Sequence, residues 1–336
     1  MRILCTGSAG FIGSHLVDEL IHQGHTVFGI DNLSIGSEKN ISPEAKRNFY
    51  KCDLRRRDMT HLIMRIARPQ IVYHAAAWAH EGLSQFCPTL IMENNMTATM
   101  NILTASIKQK VKRFIYFSSM AVYGEQIPPF NEKMPRKPVD IYGIMKTACE
   151  NSIEVLCRVH DIEYTILRLH NVIGIRQNMS DPYRNVVAIF MNRLLQNKPF
   201  YIYGNGEQRR SFSNIQDAIP SIVEAGFKNV AGEIINIGPS RDYSLNDLAN
   251  SLLKISGKSD LNPIYVLDRP VEVKNAFCTN DKAEKLLGYK DSISLQDGLR
   301  EMWEWAKSEG YQEPKYLPHL ELQSDKIPIT WREKKI

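Results

Sequence analysis

Tyr142 and Lys146 stand four residues apart in the segment YGIMK, a spacing that places both side chains on one face of a helix. A tyrosine with its ordinary pKa of about 10 is a poor base at neutral pH. A neighbouring ammonium stabilises the phenolate and lowers that pKa, which makes the tyrosine a usable acid–base group. Tyr311 and Lys315 in YQEPK have the same spacing with a proline between them, so spacing alone does not identify a site.

The sequence before Tyr142 adds a positional argument. The apolar run RFIYF reads as a buried strand, and Ser118 and Ser119 stand where it ends. Residues at the carboxyl ends of strands in a doubly wound sheet face the crevice that binds nucleotides, and Tyr142 lies on the helix predicted next. Met120 and Ala121 follow the serines, and neither side chain can exchange a proton.

A glycine-rich turn near the start of the chain predicts a dinucleotide site. Gly7, Gly10 and Gly13 lie in TGSAGFIGSHL, between a predicted strand and a predicted helix. Glycines there allow a tight turn and a close approach of the backbone to a pyrophosphate, which the helix N-terminus attracts. Asp31 ends the next strand 18 residues after Gly13, where a carboxylate binds the ribose and repels a 2′-phosphate. The sequence therefore favours NAD over NADP.

Short apolar runs alternate with helical patterns along the first half of the chain. We predict strands at Ile3–Thr6, Thr26–Ile30, Phe49–Cys52, Ile71–His74, Arg113–Phe117 and Tyr164–Leu169, and helices at Gly13–His22, Thr97–Gln109 and Ile141–His160. This alternation predicts parallel βαβ units, and hence an α/β fold with a Rossmann-like, doubly wound parallel sheet. Asp53 follows the third predicted strand, where it either contacts the adenine or caps the next helix.

The pattern changes after Asn171, where glycine-rich and arginine-bearing loops separate short helices at Leu245–Ile255 and Leu295–Lys307. The run GEIINIG reads as a further strand of the main sheet. We therefore predict an NAD-binding domain over residues 1–170, with a returning segment near 212–240. Residues 171–336 are predicted to form a smaller, interwoven C-terminal lobe that binds the substrate.

Length and composition exclude several classes of function. The 336 residues are 43% apolar and 24% charged, which is ordinary for a globular protein. The net charge is only +5 and the basic runs lack interleaved aromatics, which argues against nucleic-acid binding. No run approaches the roughly 18 apolar residues that a membrane helix needs. The six cysteines form no C-x-x-C pair, which predicts free thiols, no metal site and a cytoplasmic protein.

Together these motifs resemble the extended short-chain dehydrogenase/reductase superfamily, in its nucleotide-sugar epimerase/dehydratase branch. The resemblance covers nearly the whole chain. It rests on motifs that occur in family order: TGSAGFIG, CDLR, HAAA, ENN, FSSMAVYG, YGIMK, LRLHNVIGIRQ, GNGEQRRSF, NIG and RPVEV. It implies a tightly bound NAD, a nucleotide-diphosphate sugar as substrate, and a homodimer formed through the long helices at Thr97–Gln109 and Ile141–His160.

The resemblance also implies roles for individual residues. The catalytic residues it implies are Tyr142, Lys146 and Ser119. The cofactor-binding residues are Gly7, Gly10, Phe11, Ile12, Gly13, Asp31, Asn32, Asp53, Leu54, Ala75, Ala76, Ala77, Asn94, Phe117, Ser118, Tyr142, Lys146 and His170. The substrate-binding residues are Ser119, Glu81, Asn171, Asn185, Tyr203, Arg210, Arg269 and Glu272. Two guanidiniums, from Arg210 and Arg269, suit a diphosphate.

The residues after Ser119 bear on the reaction. The resemblance implies an acidic pair there in 4,6-dehydratases and a glutamate at the second position in decarboxylases, whereas this chain has Met120 and Ala121. We therefore expect transient oxidation at the sugar C4 and return of the hydride to the other face, which is 4-epimerisation.

The sequence leaves three questions about the reaction open. His80 and Glu81 occupy a loop that faces the sugar in this family, where they are either ordinary loop residues or groups for a second epimerisation or a 5,6-elimination. Ala276 stands where some 4-epimerases have a bulky residue, which suggests room for an N-acetyl group. A catalytically idle NAD-binding sensor is a third reading, which the presence of Tyr142, Lys146 and Ser119 disfavours.

Overall fold

The computed structural model describes residues 1–336. Its strands are β1 (Arg2–Thr6), β2 (Thr26–Asp31), β3 (Phe49–Lys51), β4 (Ile71–His74), β5 (Arg113–Ser119), β6 (Glu163–Leu169), β7 (Val172–Ile173), β8 (Tyr201–Tyr203), β9 (Arg209–Arg210), β10 (Ser213–Asn214), β11 (Glu233–Ile237), β12 (Tyr243–Ser244), β13 (Ile264–Val266) and β14 (Asn275–Ala276). Its helices are α1 (Phe11–His22), α2 (Pro43–Lys46), α3 (Arg57–Ala67), α4 (Pro88–Met92), α5 (Ala98–Lys108), α6 (Ile141–Val159), α7 (Val186–Leu195), α8 (Ile215–Glu224), α9 (Leu245–Ser256), α10 (Asp281–Leu287), α11 (Leu295–Glu309) and α12 (Ile329–Arg332).

A seven-stranded sheet in the order β11-β6-β5-β4-β1-β2-β3 forms the centre of the molecule. Every neighbouring pair in it is parallel. Its strands read as continuous apolar runs because both faces are covered: one face packs under α1 and α8, and the other under α3, α5 and α6. This architecture confirms the predicted Rossmann-like α/β fold.

The predicted elements of the first half are all present, with small shifts at their ends. Strand β5 runs through Ser118 to Ser119, two residues beyond the predicted end, so both serines belong to the strand. The segment GEIINIG contains β11, which pairs with β6 at the edge of the sheet. A π-helical turn over Glu93–Thr97 precedes α5, which apolar periodicity does not reveal because the turn has a different period.

A second core lies in the C-terminal part of the chain, where α7, α9 and α11 pack around Phe190, Leu252 and Trp303. Three small sheets border it, in the orders β12-β9-β14, β13-β8 and β10-β7. Strand β11 and helix α8 return to the main sheet from this half of the chain, so the two parts interweave. The domain limits at residues 170 and 171 stay a prediction.

No helix in the structure combines the length and the apolar character needed to cross a membrane. All six cysteines are buried free thiols, and no cluster of His, Cys, Asp or Glu side chains is arranged to hold a metal ion.

Candidate active site

A cavity of about 890 Å³ runs along the carboxyl ends of the central strands, between the sheet and the C-terminal lobe. This is the edge at which an open parallel sheet binds nucleotides. Of the predicted site residues, those lining the cavity are Gly7, Gly10, Phe11, Ile12, Gly13, Asp31, Asn32, Asp53, Leu54, Ala75, Ala76, Ala77, Glu81, Asn94, Phe117, Ser118, Ser119, Tyr142, Lys146, Asn171, Asn185, Tyr203, Arg210, Arg269 and Glu272. The structure thus brings the residues predicted to bind the cofactor, to catalyse the reaction and to bind the substrate into one continuous cavity.

The glycine turn between β1 and α1 leaves no room for side chains. Gly7 has a φ of +68°, and a Cβ there would lie 2.8 Å from the backbone nitrogen of Ala76. A Cβ on Gly13 would lie 2.0 Å from the carbonyl oxygen of Gly7. Helix α1 begins at Phe11 directly after this turn, so its unpaired N–H groups point into the cavity end where a pyrophosphate fits.

Asp31 closes β2 beside this turn. Its carboxylate accepts hydrogen bonds from the backbone N–H of Ala9 at 3.0 Å and of Leu33 at 2.7 Å. Burial raises the pKa of Asp31, and these backbone hydrogen bonds oppose the rise. The carboxylate is therefore held rigidly where the ribose of a dinucleotide is expected, and the residues present fit NAD.

Asp53 does not cap α3, the alternative that its position suggested. The N-cap residue of α3 is Arg56, and it makes no side-chain capping bond. The Asp53 carboxylate instead accepts from the backbone N–H of Arg55 at 2.9 Å and from its guanidinium at 3.1 Å. Asp53 also lines the cavity, and its contact with adenine stays a prediction.

Ser119, Tyr142 and Lys146 converge at the middle of the cavity. Tyr142 and Lys146 both lie on α6, whose first turn is capped by the Asp140 carboxylate accepting from the N–H of Gly143 at 2.8 Å. The Lys146 ammonium donates to the carbonyl oxygen of Phe117 at 2.6 Å and lies 5.8 Å from the centre of the Tyr142 ring. This contact ties α6 to the serine-bearing end of β5.

The charges around Tyr142 differ from the expectation. Burial raises the pKa of Tyr142 above its ordinary value, and the leading influence that lowers it is the charge of Arg184, with a smaller lowering from the Ser119 hydroxyl. Burial lowers the pKa of Lys146 to about 8. Arg184 is thus a second cation, besides Lys146, whose charge favours the phenolate.

Sequence reasoning missed Arg184. It lies just before α7, lines the cavity and is half-buried, and its guanidinium donates to Asn185 Oδ1 at 3.2 Å. No carboxylate lies within 4.0 Å of it, so its charge is not neutralised by a direct ion pair. Only the tertiary path of the loop over residues 176–185 places this arginine near Tyr142, which is why no local motif indicates it.

The far end of the cavity carries the two predicted diphosphate arginines. Glu272 binds Arg269 through two hydrogen bonds of 2.9 and 3.1 Å and lies 3.8 Å from a nitrogen of Arg210. Arg210 also donates to the carbonyl oxygen of Val273 at 2.6 Å. The Arg269 guanidinium lies 4.9 Å over the ring of Tyr203. Both guanidiniums are therefore fixed in place by partners that still leave them lining the cavity.

The two predicted diphosphate-binding asparagines are Asn171 and Asn185. Asn171 donates through Nδ2 to the carbonyl oxygen of Ser211 at 3.1 Å, and Asn185 has a φ of +66° at the N-cap of α7. Both line the cavity. Asparagine tolerates this left-handed backbone better than most residues, which accounts for its use at the start of α7.

His80 and Glu81 have different environments. His80 is buried, and its Nε2 lies 2.8 Å from the Asp181 carboxylate. Glu81 is half-buried, lines the cavity and makes no ion pair through its carboxylate. Burial and the nearby Glu81 charge raise the pKa of Asp140 to about 7. Both residues line the cavity, but the Nε2 atom of His80 is engaged by Asp181, whereas the Glu81 carboxylate makes no ion pair.

Two predicted positions lie elsewhere. His170 is fully buried and does not line the cavity, because its backbone pairs with Ile237 at the strand end and its ring turns toward Tyr123, 6.5 Å away. Ala276 packs in a closed apolar cluster with Met120 and Phe130 and also does not line the cavity. The structure does not support the expectation that Ala276 leaves room for a sugar substituent, because Met120, and not Ala276, lines the cavity.

The fold and the site together define an NAD-binding α/β enzyme. Comparisons with known proteins narrow this class to a family. Residues 3–238 match the model of the NAD dependent epimerase/dehydratase family. The chain is 30% identical over 315 residues to UDP-glucose 4-epimerase of Mycolicibacterium smegmatis, covering 92% of this chain and 99% of that protein. It is also 30% identical over 319 residues to UDP-N-acetyl-alpha-D-glucosaminuronate decarboxylase of Bacillus cytotoxicus, covering 90% and 97%.

Among solved structures, the UDP-glucose 4-epimerase of Thermotoga maritima with UDP-glucose superposes with a TM-score of 0.87 at 35% identity, covering 92% of this chain and 99% of that one. The chain therefore belongs to the NAD dependent epimerase/dehydratase family. This confirms the predicted family, NAD as the cofactor, and an NAD-dependent enzyme similar to UDP-sugar 4-epimerases. These similarities to enzymes argue against the alternative that the protein is a catalytically idle NAD-binding sensor.

Proposed function

We propose that the protein interconverts the C4 epimers of a nucleotide-diphosphate sugar, with a uridine nucleotide as the favoured carrier. The observation that carries this proposal is the single cavity that is lined by the glycine turn, by Ser119, Tyr142 and Lys146, and by the guanidiniums of Arg210 and Arg269. A substrate with an anionic diphosphate at one end and a reactive sugar at the other matches this set of residues.

The residues of the chain supply binding and proton transfer. Arg210 and Arg269 hold the diphosphate as charge-assisted hydrogen-bond donors. The Tyr142 phenolate accepts the proton of the C4 hydroxyl at Oη and later returns it, and Ser119 Oγ orients that hydroxyl. Lys146, fixed on the Phe117 carbonyl, orients α6 and its tyrosine. Bound NAD supplies a hydride acceptor that returns the hydride, so the reaction has no net redox change.

Met120 and Ala121 favour epimerisation over the other reactions of the family. Both are buried directly after Ser119, Met120 lines the cavity, and neither can carry a proton to C5 or C6. The nucleotide diphosphate keeps the oxidised sugar attached to the protein during the reaction. Two arginines therefore hold the diphosphate firmly, while the sugar stays free to turn over before the hydride returns.

A second candidate rests on Glu81. Its carboxylate lines the cavity, and its charge acts on Tyr142, on Arg210 and on Arg269. A carboxylate so placed serves a second proton transfer, as in a 5,6-dehydratase or an epimerase that acts at more than one carbon. His80 is less suited to that role because its Nε2 is engaged by Asp181.

The test uses the purified protein with no added cofactor. UDP-glucose, UDP-N-acetylglucosamine and UDP-glucuronate are incubated separately, and the anomeric proton signals are followed by NMR. We expect one sugar to equilibrate with its C4 epimer. Signals of an unsaturated or doubly inverted sugar favour the second candidate, and an unchanged panel with NAD bound counts against epimerisation of a UDP-sugar.

A further inference from the structure

The last 26 residues of the chain, Tyr311–Ile336, form an extended segment that we call the C-terminal strap. Apart from the short helix α12, the strap has no regular secondary structure. It nevertheless lies along the substrate half of the cavity, and Tyr316 and Trp331 are among the residues that line it. No sequence motif assigns a function to this segment.

Backbone hydrogen bonds fasten the strap to the elements around the cavity. The N–H of Lys315 donates to the carbonyl oxygen of Ser180 at 2.7 Å, and the N–H of Leu317 donates to the Tyr183 hydroxyl at 2.9 Å. The Glu321 carboxylate accepts from the N–H of Leu90 at 2.7 Å, at the start of α4. The strap is therefore built into the fold and is not a loose tail.

Trp331 is a buried aromatic residue of the strap. It is only 4% exposed, and its ring meets that of Tyr183 at 5.1 Å and that of Phe86 at 6.2 Å, both edge-on. Such aromatic pairs hold a ring in one orientation. The indole is thus fixed at the cavity wall, and it cannot be displaced without breaking this cluster.

Trp331 also lies beside the groups predicted to bind the substrate. A Cβ built on Gly82 would lie 3.2 Å from Trp331 Cη2 and 3.5 Å from Arg269 Nη1, so the indole, the glycine of the sugar-facing loop and the guanidinium meet at one point. The neighbouring Thr330 hydroxyl hydrogen-bonds the hydroxyl of Tyr203, the ring over which Arg269 lies.

We propose that the C-terminal strap is part of the substrate site, with Trp331 and Tyr316 acting as residues that bind the nucleotide diphosphate. This inference rests on the proposed function, since it assigns a wall to the nucleotide end of that cavity. An indole beside Arg269 excludes water from the guanidinium, which strengthens its attraction to a diphosphate. Rigid aromatic side chains also contribute contact area at low entropic cost.

The test measures binding, not turnover. The full-length, NAD-loaded protein is titrated with UDP, and with dTDP in parallel, by isothermal calorimetry. We expect Trp331→Ala to raise the Kd for the nucleotide about tenfold or more, as for a buried aromatic contact, and Trp331→Phe to raise it only about threefold. NAD content should stay at the wild-type level in both variants. Tyr311→Ala is the matched control, because Tyr311 belongs to the strap but is 43% exposed and does not line the cavity.

The inference is overturned if Trp331→Ala binds UDP as tightly as the wild type, or if it loses NAD together with UDP, since the strap would then act on the fold as a whole. Should Trp331→Ala fail to fold, Trp331→Phe and a protease experiment still decide. UDP should slow tryptic cleavage within the wild-type strap several-fold, and equal cleavage rates with and without UDP contradict the inference.

Failure of the inference and failure of the proposed function have different signatures. Wild-type protein that binds UDP but converts no sugar contradicts the proposed function and leaves the strap measurement valid. Wild-type protein that epimerises a sugar, with Trp331→Ala unaffected in binding, contradicts the strap alone. Wild-type protein that binds neither UDP nor dTDP contradicts both.

Discussion

The Nε2 atom of His80 lies 2.8 Å from the carboxylate of Asp181, and both side chains are buried. Asp181 also accepts the N–H of Tyr183 at 2.9 Å, so this contact fastens the loop that carries Arg184 and Asn185 to the loop after β4. We infer that His80 positions the site and does not itself move protons.

This account predicts the effect of removing the imidazole. His80→Ala leaves the Asp181 carboxylate buried without its partner, which should cost about 3 kcal/mol of unfolding free energy and raise KM for the nucleotide sugar. We expect kcat to fall less than about tenfold, whereas loss of an acid–base group costs about 100-fold or more. Chemical denaturation and steady-state kinetics measure both effects. His80→Asn, which keeps an N–H donor, should recover part of the stability, and a 100-fold loss of kcat in that variant contradicts the positioning role.

Tyr142→Phe removes the proposed proton acceptor and little else. Because general acid–base groups contribute about 100- to 10,000-fold, kcat should fall within that range. NAD content should change little, since the glycine turn and Asp31, which are also predicted to bind NAD, are untouched by this substitution. The control is Tyr311→Phe, which alters the other Y-x-x-x-K tyrosine and should be silent. A Tyr142→Phe enzyme with near wild-type kcat rules out the proposed role.

Arg184 should set the pH at which Tyr142 becomes active. Its positive charge lowers the pKa of the phenol, so Arg184→Gln raises that pKa. Activity that depends on the phenolate increases as pH rises through this pKa, and the rising limb of the kcat/KM profile should therefore move to higher pH by about one unit. Arg184→Lys keeps the charge and should keep most of the profile. An unshifted limb in Arg184→Gln means that another cation controls the tyrosine.

The stability of the wall behind the site depends on Glu150 of α6. Its carboxylate accepts hydrogen bonds from the Arg168 guanidinium of β6 at 2.7 and 2.9 Å and from the Ser118 hydroxyl at 2.5 Å. Glu150→Ala leaves the buried Arg168 unpaired and should cost about 3–5 kcal/mol. Glu224→Ala, in the exposed pair with Lys228, should have a much smaller effect because water screens that pair. Urea unfolding of the three proteins measures the difference.

The same carboxylate gives the protein a defined response to acid. Burial acts to raise the pKa of Glu150, but its hydrogen bonds and the charge of Arg168 lower it on balance. A lowered pKa in the folded state means that the stabilisation is complete above the ordinary glutamate pKa of about 4.3 and is lost as pH falls through the folded value. Glu150→Ala should therefore lose less stability than the wild type between about pH 5 and pH 3. Parallel loss in the two proteins contradicts this assignment.

The residues that sequence patterns located are those whose role is local. Tyr142 and Lys146 share a helix, and Ser119 ends a strand, so spacing and position along the chain were sufficient to bring them together. Arg184 and Trp331 could not be found in this way, because the residues they are argued to act on, Tyr142 and Arg269, lie more than 40 residues away in sequence and their own loops have no periodic pattern.

His170 and Ala276 show why a role assigned from an aligned position in the family can fail. His170 was matched to a cofactor-lining position, yet it follows Leu169, which does line the cavity, and side chains at a strand end alternate between faces. A shift of one residue along the chain, from Leu169 to His170, is therefore enough to turn the side chain from the cavity into the protein interior. Ala276 lies in a cluster closed by Met120, a neighbour that only the tertiary structure reveals.

The most direct test of transient oxidation at C4 is to run the reaction in D₂O with the UDP-sugar that the protein accepts, and to examine the product by NMR and mass spectrometry. The account predicts the C4 epimer with no solvent deuterium on carbon, because the hydride that leaves C4 returns to C4 within the same site. Deuterium at C5 or C6, or an unsaturated product, contradicts the account and assigns the chemistry to a second proton transfer, with Glu81 as the residue to mutate.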